Sequence, residues 1–250
     1  MGTLYMGGTP DTVSKYVLFS GDPWRVNIVK NYLENPQDVA FMREYNTCTG
    51  YYKGERITVT STGIGAPGAA IAMEEMYECG MEAALRMGTV MALDDDMLGH
   101  FIVPLGSMRR ESTSKTYAEE GYPAVADLEM LNILNQTVAD HGRRSLNGIS
   151  CTMDGFYTHM HDSRFSRERG LEMKPVFDEL RALRVSGVDM ESSCMLVAGR
   201  LMGVKTAVLT VVTVLENLKK TLPEQERIGA EDLLCRIALE GMWRYARRNK

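Results

Sequence analysis

The chain reads as an α/β protein: a single domain over residues 1–250, built as a three-layer α/β/α sandwich around a mostly parallel, mixed sheet. Two observations predict this. Short runs rich in β-branched residues alternate with segments of helical period. The 250 residues, 44% hydrophobic and 24% charged, suffice to bury one full core and are ordinary for a globular chain.

Each element follows in order. KYVLFS (15–20) has the apolar continuity of a strand, and DPWRVNIVKNYLEN (22–35) reads as a helix carrying Val26, Val29 and Leu33 on one face. RITVTST (56–62) and EAALRM (82–87) read as strands flanking the helix PGAAIAMEEMYEC (67–79). HFIVPLG (100–106) and NGISCTM (147–153) are predicted strands around a helix over 124–141 that carries Leu128, Leu131 and Leu134. VKTAVLTVVTVL (204–215) is a buried strand, and AEDLLCRIALEGMWRYARR (230–248) closes the chain as an amphipathic helix. The 18 methionines are spread through these elements, as adaptable core filler is, rather than clustered.

Composition narrows the partners. A net charge of −5 and a pI near 5.5 give no basic excess for a phosphate backbone, so nucleic acid is not expected. The longest apolar run, TAVLTVVTVL, has the length of a strand, and no membrane span is expected. Five scattered cysteines without a C-x-x-C predict reduced thiols in a cytoplasmic protein. The N-terminal segment lacks the basic start and apolar core of a secretory leader.

In such sheets ligands bind beyond the carboxyl ends of the strands. After the first strand comes GDPWRV: Gly21 permits a tight turn, Asp22 can cap, and Pro23 suits the first helical position. The helix start there can receive an anion, with Arg25 on its first turn, or be an ordinary turn with a solvated arginine. STGIGAPGAAIAMEEM (61–76) lacks the G-x-G-x-x-G spacing of a dinucleotide site, and its glycines suit close approach to a small ligand. LRMGTV places Arg86 at a strand end in an apolar stretch, where it needs an anionic partner, followed by Gly88 and Thr89. No G-x-x-x-x-G-K-[ST] loop is present, so a phosphate here is a reactant rather than part of a bound nucleotide triphosphate.

The segment VDMESS (188–193) is the other interruption. Asp189 and Glu191 are two apart, so in extended chain they face one cavity and can hold a sugar's adjacent hydroxyls. Alternatively they belong to the start of the next helix, where acids and serines are favoured. His159, His161 and Asp162 in FYTHMHDSRF suggest a metal cluster, but further ligands are missing, so no metal is expected.

The motifs GDPWRV, MREYNT, STGIGAPGAAIAMEEM, LRMGTV, TSKTY with YPAVADLE, DGFY and VDMESS stand in the order found in nucleoside phosphorylases. From about Tyr16 onward the chain resembles that family, most closely its uridine phosphorylase branch. The resemblance implies an α/β phosphorolase needing no cofactor, with inorganic phosphate as co-substrate, assembled as a hexamer of dimers with shared active sites. It makes Gly21, Arg25, Arg86 and Thr89 the phosphate site, with Arg43 reaching in from a neighbouring subunit. Glu191, Met190 and Asp189 would hold the ribose, and Phe156 would stack on the base. Arg86, Thr89 and Glu191 would carry catalysis.

Departures are visible too. Tyr5 stands where the family has a histidine for a neighbour's ribose. Val90 and Met91 follow Thr89 where a small residue and glycine are usual, and Asp189 replaces a more common glutamate. For the glutamine and arginine that read uracil, the candidates here are His159 and Arg164. Glu216 lies near the aspartate that protonates the base in purine phosphorylases. The implied function is phosphorolysis of uridine in nucleoside salvage, with a purine nucleoside phosphorylase or a silent nucleoside-binding relative as alternatives.

Overall fold

The computed structural model describes residues 2–249. β1 (Tyr16–Ser20) is buried along its whole length, as a central strand covered on both faces must be. Asp22 caps α1 (Pro23–Lys30) by accepting the Trp24 N–H at 2.9 Å. The helix ends sooner than its periodicity predicts. Leu33 is still buried, but Glu34 and Asn35 open β2 (Glu34–Met42), which folds back on β3 (Tyr45–Tyr52) as an antiparallel hairpin. β3 then pairs antiparallel with β4 (Glu55–Ser61). β2 is mostly exposed and contains Pro36, so no apolar run announces it.

α2 (Ala66–Glu78) follows, then the ten-residue β5 (Ala83–Ala92). The expected strand at 100–106 is divided into β6 (Phe101–Ile102) and β7 (Gly106–Arg110). A short helix, α3 (Ser114–Tyr117), leads to β8 (Ala124–Val125) and α4 (Leu128–Asp140). The helix predicted to begin at 124 is thereby corrected: Ala124 and Val125 pair with β7, and Asp127 caps the true start by accepting the Met130 N–H at 3.0 Å. Leu131 and Leu134 are buried as expected, whereas Leu128 lies in the first turn and is 69% exposed.

β9 (Ser145–Leu146) and β10 (Ile149–Met153) precede α5 (Arg164–Glu168), α6 (Lys174–Ala182) and β11 (Val185–Asp189). α7 (Ser192–Leu201), β12 (Lys205–Leu215) and α8 (Glu224–Arg248) complete the chain. The twelve strands form one mixed sheet in the order β2-β3-β4-β1-β5-β11-β10-β7-β8, with β12 beside β5, β6 beside β12 and β9 beside β6.

Helices cover both faces. On one, α8 packs on α1 and α4 and buries Leu234, Ile237 and Leu239 completely, each contributing about 1.5–3 kcal/mol. On the other, α2 packs on α7 and contributes Met73 and Met76 to a second cluster with Met195. Among the described residues no helix is long and apolar enough to cross a membrane, and all five cysteines are buried without a disulfide.

β5 positions the site. It pairs parallel with β1 over Ala83–Met87 and with β12 along its length, but antiparallel with β11 at Met91 and Ala92. β11 therefore runs back toward the middle of β5, delivering its terminal Asp189 to the neighbourhood of Arg86.

Candidate active site

Arg86 is 3% exposed and sits between the two acids of VDMESS. Its Nε–H donates to Asp189 Oδ2 at 3.3 Å and its Nη2 to Glu191 Oε2. The guanidinium folds back over Gly88, where a Cβ would meet Nη2 at 3.0 Å and Cζ at 3.2 Å, so a larger residue would press on it. Glu191 is held from the other side by the Gly65 N–H at 2.6 Å. Gly65 has φ of +100°, a conformation an L side chain resists, at the start of α2. The glycine-rich stretch thus brings backbone close to the chain's own carboxylate.

Electrostatics follow from burial. Desolvation raises the Glu191 carboxyl above the ordinary glutamate range, against the opposing pull of Arg86. Burial alone would lower the Arg86 guanidinium, but Glu191 and Asp189 override it and hold it above its usual value. With Nε and Nη2 committed, Nη1 is buried and has no hydrogen-bond partner among the described residues. A buried cationic donor left over beside a carboxylate is arranged to receive an anion.

The remaining phosphate candidates lie around this centre. Ser20 at the end of β1 is in register with Met87, so the Gly21 turn adjoins the strand segment that carries Arg86. Arg25 is buried rather than solvated, with Nε on Glu231 Oε2 at 3.1 Å and Nη1 3.5 Å from Ser20 Oγ. Thr89 is half-buried on β5 opposite Val211. Arg43 is exposed in the β2–β3 turn with φ of +55°, its guanidinium 5.4 Å from the ring of Tyr5. Tyr5 is itself held because the buried Glu75 accepts the N–H groups of Tyr5 and Met6, both at 2.7 Å.

The base candidates are dispersed. Phe156 opens a single π-helical turn (Phe156–Met160) and meets Tyr157 edge-on at 5.0 Å. It belongs to the apolar cluster that includes Met91, Met153, Met160 and Met190. His159 is exposed, bonded to Thr158 at 3.0 Å, and lines a cleft of about 310 Å³ with Arg110 and Lys115. Arg164 is not brought to Phe156: its side chain is 90% exposed and is paired with Glu168 at 2.8 Å along α5. Glu216 is no solvated strand end. It is an ion-pair partner of Arg181 from α6 and of Lys219 at 3.2 Å.

Val90 and Met91 are both buried in the core, Met91 in the same apolar cluster as Phe156 and Met190. Val90 packs with Ile102 and Val212. In the cluster of His159, His161 and Asp162, His161 Nδ1 lies 3.1 Å from Asn217 Oδ1, and Asp162 accepts Arg167 at 2.5 Å.

Sequence reasoning missed the supports. Thr152 donates to Asp189 at 2.8 Å, and Ser193 donates to the fully buried Glu111 at 2.7 Å. Arg109 fixes the 114–122 loop by donating to the carbonyls of Ser114, Ala118, Glu119 and Tyr122 at 2.5–2.9 Å and to the Ser114 hydroxyl at 2.9 Å.

A mixed α/β sheet with a buried arginine gripped by two carboxylates where β5 meets β11 is the frame of the candidate site. The chain matches the phosphorylase superfamily over residues 15–237 and belongs to it. It is 35% identical to the uridine phosphorylase of Thermococcus kodakarensis over 204 residues, 81% of this chain and 74% of that protein. It is 31% identical to the guanosine phosphorylase of Halorubrum lacusprofundi, over 80% of this chain and 78% of that one. The crystal structure of uridine phosphorylase from Vibrio fischeri superimposes with a TM-score of 0.86 at 30% identity, covering 97% of this chain and 98% of its own. The family and the fold implied by the ordered motifs are therefore those of the protein.

Proposed function

We propose that this chain catalyses phosphorolysis of a ribonucleoside, uridine in preference to inosine, to free base and ribose 1-phosphate in nucleoside salvage. The observation that carries this reading is Arg86 Nη1, a buried donor beside Glu191 without a hydrogen-bond partner among the described residues. Phosphate is the co-substrate, and no cofactor takes part. Gly21, Arg25 and Thr89 complete its site with Arg86.

The chemistry needs position more than a covalent nucleophile. As the C1′–N1 bond of uridine breaks, its electron pair leaves with uracil, and the sugar gains oxocarbenium character. A phosphate oxygen held on the opposite side forms the new C1′–O bond, and the uracil anion takes a proton from solvent. Arg86 orients the phosphate, Glu191 and Met190 fix the ribose, and Phe156 stacks on the base. Glu216 is engaged by Arg181 and Lys219, which favours uridine over a purine that would need Glu216 as its acid.

The chain works as a homo-oligomer of dimers, a hexamer, in the cytoplasm. Four exposed apolar side chains support this: Leu4, Phe41, Met42 and Ile64 are 78%, 67%, 47% and 83% exposed. They flank Tyr5, Arg43 and Gly63, and Gly63 abuts Glu44, so one apolar face borders the site. Covering it with a second copy lets Arg43 and Tyr5 complete a neighbour's site.

The test is cleavage of uridine and inosine with and without phosphate, with ribose 1-phosphate measured as product. Cleavage should require phosphate, and kcat/KM should be higher for uridine. Equal turnover in phosphate-free buffer overturns the reading, and a preference for inosine replaces uridine with a purine substrate.

A further inference from the structure

Asp189 and Glu191 have opposite surroundings. Asp189, 4% exposed, already receives four donor groups: the Thr152 hydroxyl at 2.8 Å, the Ser192 N–H at 3.2 and 3.3 Å, the Ser192 hydroxyl, and Arg86 Nε–H at 3.3 Å. A carboxylate offers about four lone-pair sites. None remains for a sugar hydroxyl. Glu191 receives one donor on each oxygen, the Gly65 N–H on Oε1 and Arg86 Nη2 on Oε2, and so keeps acceptor capacity on both.

The donors on Asp189 are themselves fixed. Thr152 Oγ1 accepts the Ser193 N–H at 2.9 Å and lies 3.0 Å from Ser107 Oγ. The Ser193 hydroxyl is anchored on Glu111, which also accepts the Ser114 N–H at 2.8 Å. A chain of buried hydrogen bonds thus runs from the 114–122 loop to Asp189 and ends at Arg86.

Building on the phosphorolysis reading, we propose that Asp189 is a positioning residue that aims Arg86 at the phosphate, and that Glu191 alone accepts from the ribose hydroxyls. The aspartate at this position is the physical reason. One methylene shorter than glutamate, it is drawn into the Thr152 and Ser192 donors at the base of the site. Its charge acts through the guanidinium, leaving Nη1 as the donor that meets phosphate.

Two variants test this, Asp189→Asn and Ser192→Ala, the second removing one donor to Asp189 without touching the carboxylate. KM for phosphate should rise about tenfold in D189N and about threefold in S192A, in line with loss of a charged and a partial hydrogen bond. KM for uridine, and the ratio of uridine to 2′-deoxyuridine efficiency, should stay unchanged. A rise in uridine KM with phosphate KM unaltered, or a collapse of that ratio, assigns Asp189 to the sugar and overturns the proposal. If D189N does not fold, an unchanged phosphate KM in S192A has the same force. Absence of phosphate-dependent cleavage in the unaltered protein would instead refute phosphorolysis itself.

Discussion

Replacing Arg86 by alanine removes the cation that contacts two buried carboxylates. Asp189 keeps its Thr152 and Ser192 donors, but Glu191 is left with neutral backbone N–H donors and no counter-charge. Breaking a buried pair by deleting one partner costs about 3–5 kcal/mol. At about 2–4 °C per kcal/mol for a chain of this size, the melting temperature at pH 8 should fall by roughly 6–20 °C. The pH dependence follows from Glu191. Its folded pKa already lies above the unfolded value because of burial, and losing Arg86 raises it further. The native state then holds a proton that the unfolded chain has released, so stability falls as pH rises through the folded pKa. The R86A deficit should therefore shrink between pH 8 and pH 5.5, measured by thermal unfolding. Adding Glu191→Gln should recover part of the loss at pH 8, because the amide carries no charge. Equal deficits at both pH values, or no recovery in the double variant, would refute the account of Arg86 as counter-ion to a raised carboxyl.

Arg164→Ala should leave uridine kcat/KM within about threefold of the parent, since an exposed i,i+4 pair contributes only about 0.3–0.5 kcal/mol; a loss above tenfold in steady-state kinetics would place Arg164 at the base. Mixing inactive Arg43→Ala with inactive Glu191→Ala protein should restore activity once subunits exchange, because hybrid sites recombine one intact arginine with one intact glutamate. No rescue after exchange shown by mass-tagged subunits counts against a shared site.

The central strands were legible because burial on both faces leaves an apolar run: β1, β4 and β12 sit where the pattern puts them, whereas β5 runs on past Met87 to Ala92, so Arg86, Gly88 and Thr89 lie within the strand rather than at its end. The β2–β3 hairpin was not, since a mostly exposed edge strand with a proline has no such run and is held by pairing with β3. Residues 124–125 read as helix because their role is a two-residue pairing with β7, and only the Asp127 cap marks the true start. α6, predicted by no reading, was passed over although Phe177 and Leu180 keep helical spacing.

At the site, the charges in apolar stretches were readable. Arg86 needed an anionic partner, read from the sequence as phosphate, whereas the chain's own Asp189 and Glu191 are paired with it. Thr152 was not readable, because its bond to Asp189 spans 37 residues and no local pattern encodes it. Arg164 was drawn in by its nearness to Phe156 in sequence, whereas the turn at 156–160 and the start of α5 leave it in solvent.

The grip of Arg109 on the 114–122 loop has a consequence for divergence. Five of its six acceptors are main-chain oxygens, which every amino acid supplies equally. A loop held through its carbonyls can exchange most of its side chains while keeping its path. The Ser114 amide that reaches Glu111 would stay in place throughout such exchange. Relatives that keep Ser114 and the apolar contacts of Tyr117, Ala118 and Tyr122 could therefore vary the other positions of the loop and still present the same support beneath α7, so the single arginine is a residue whose loss the fold would register.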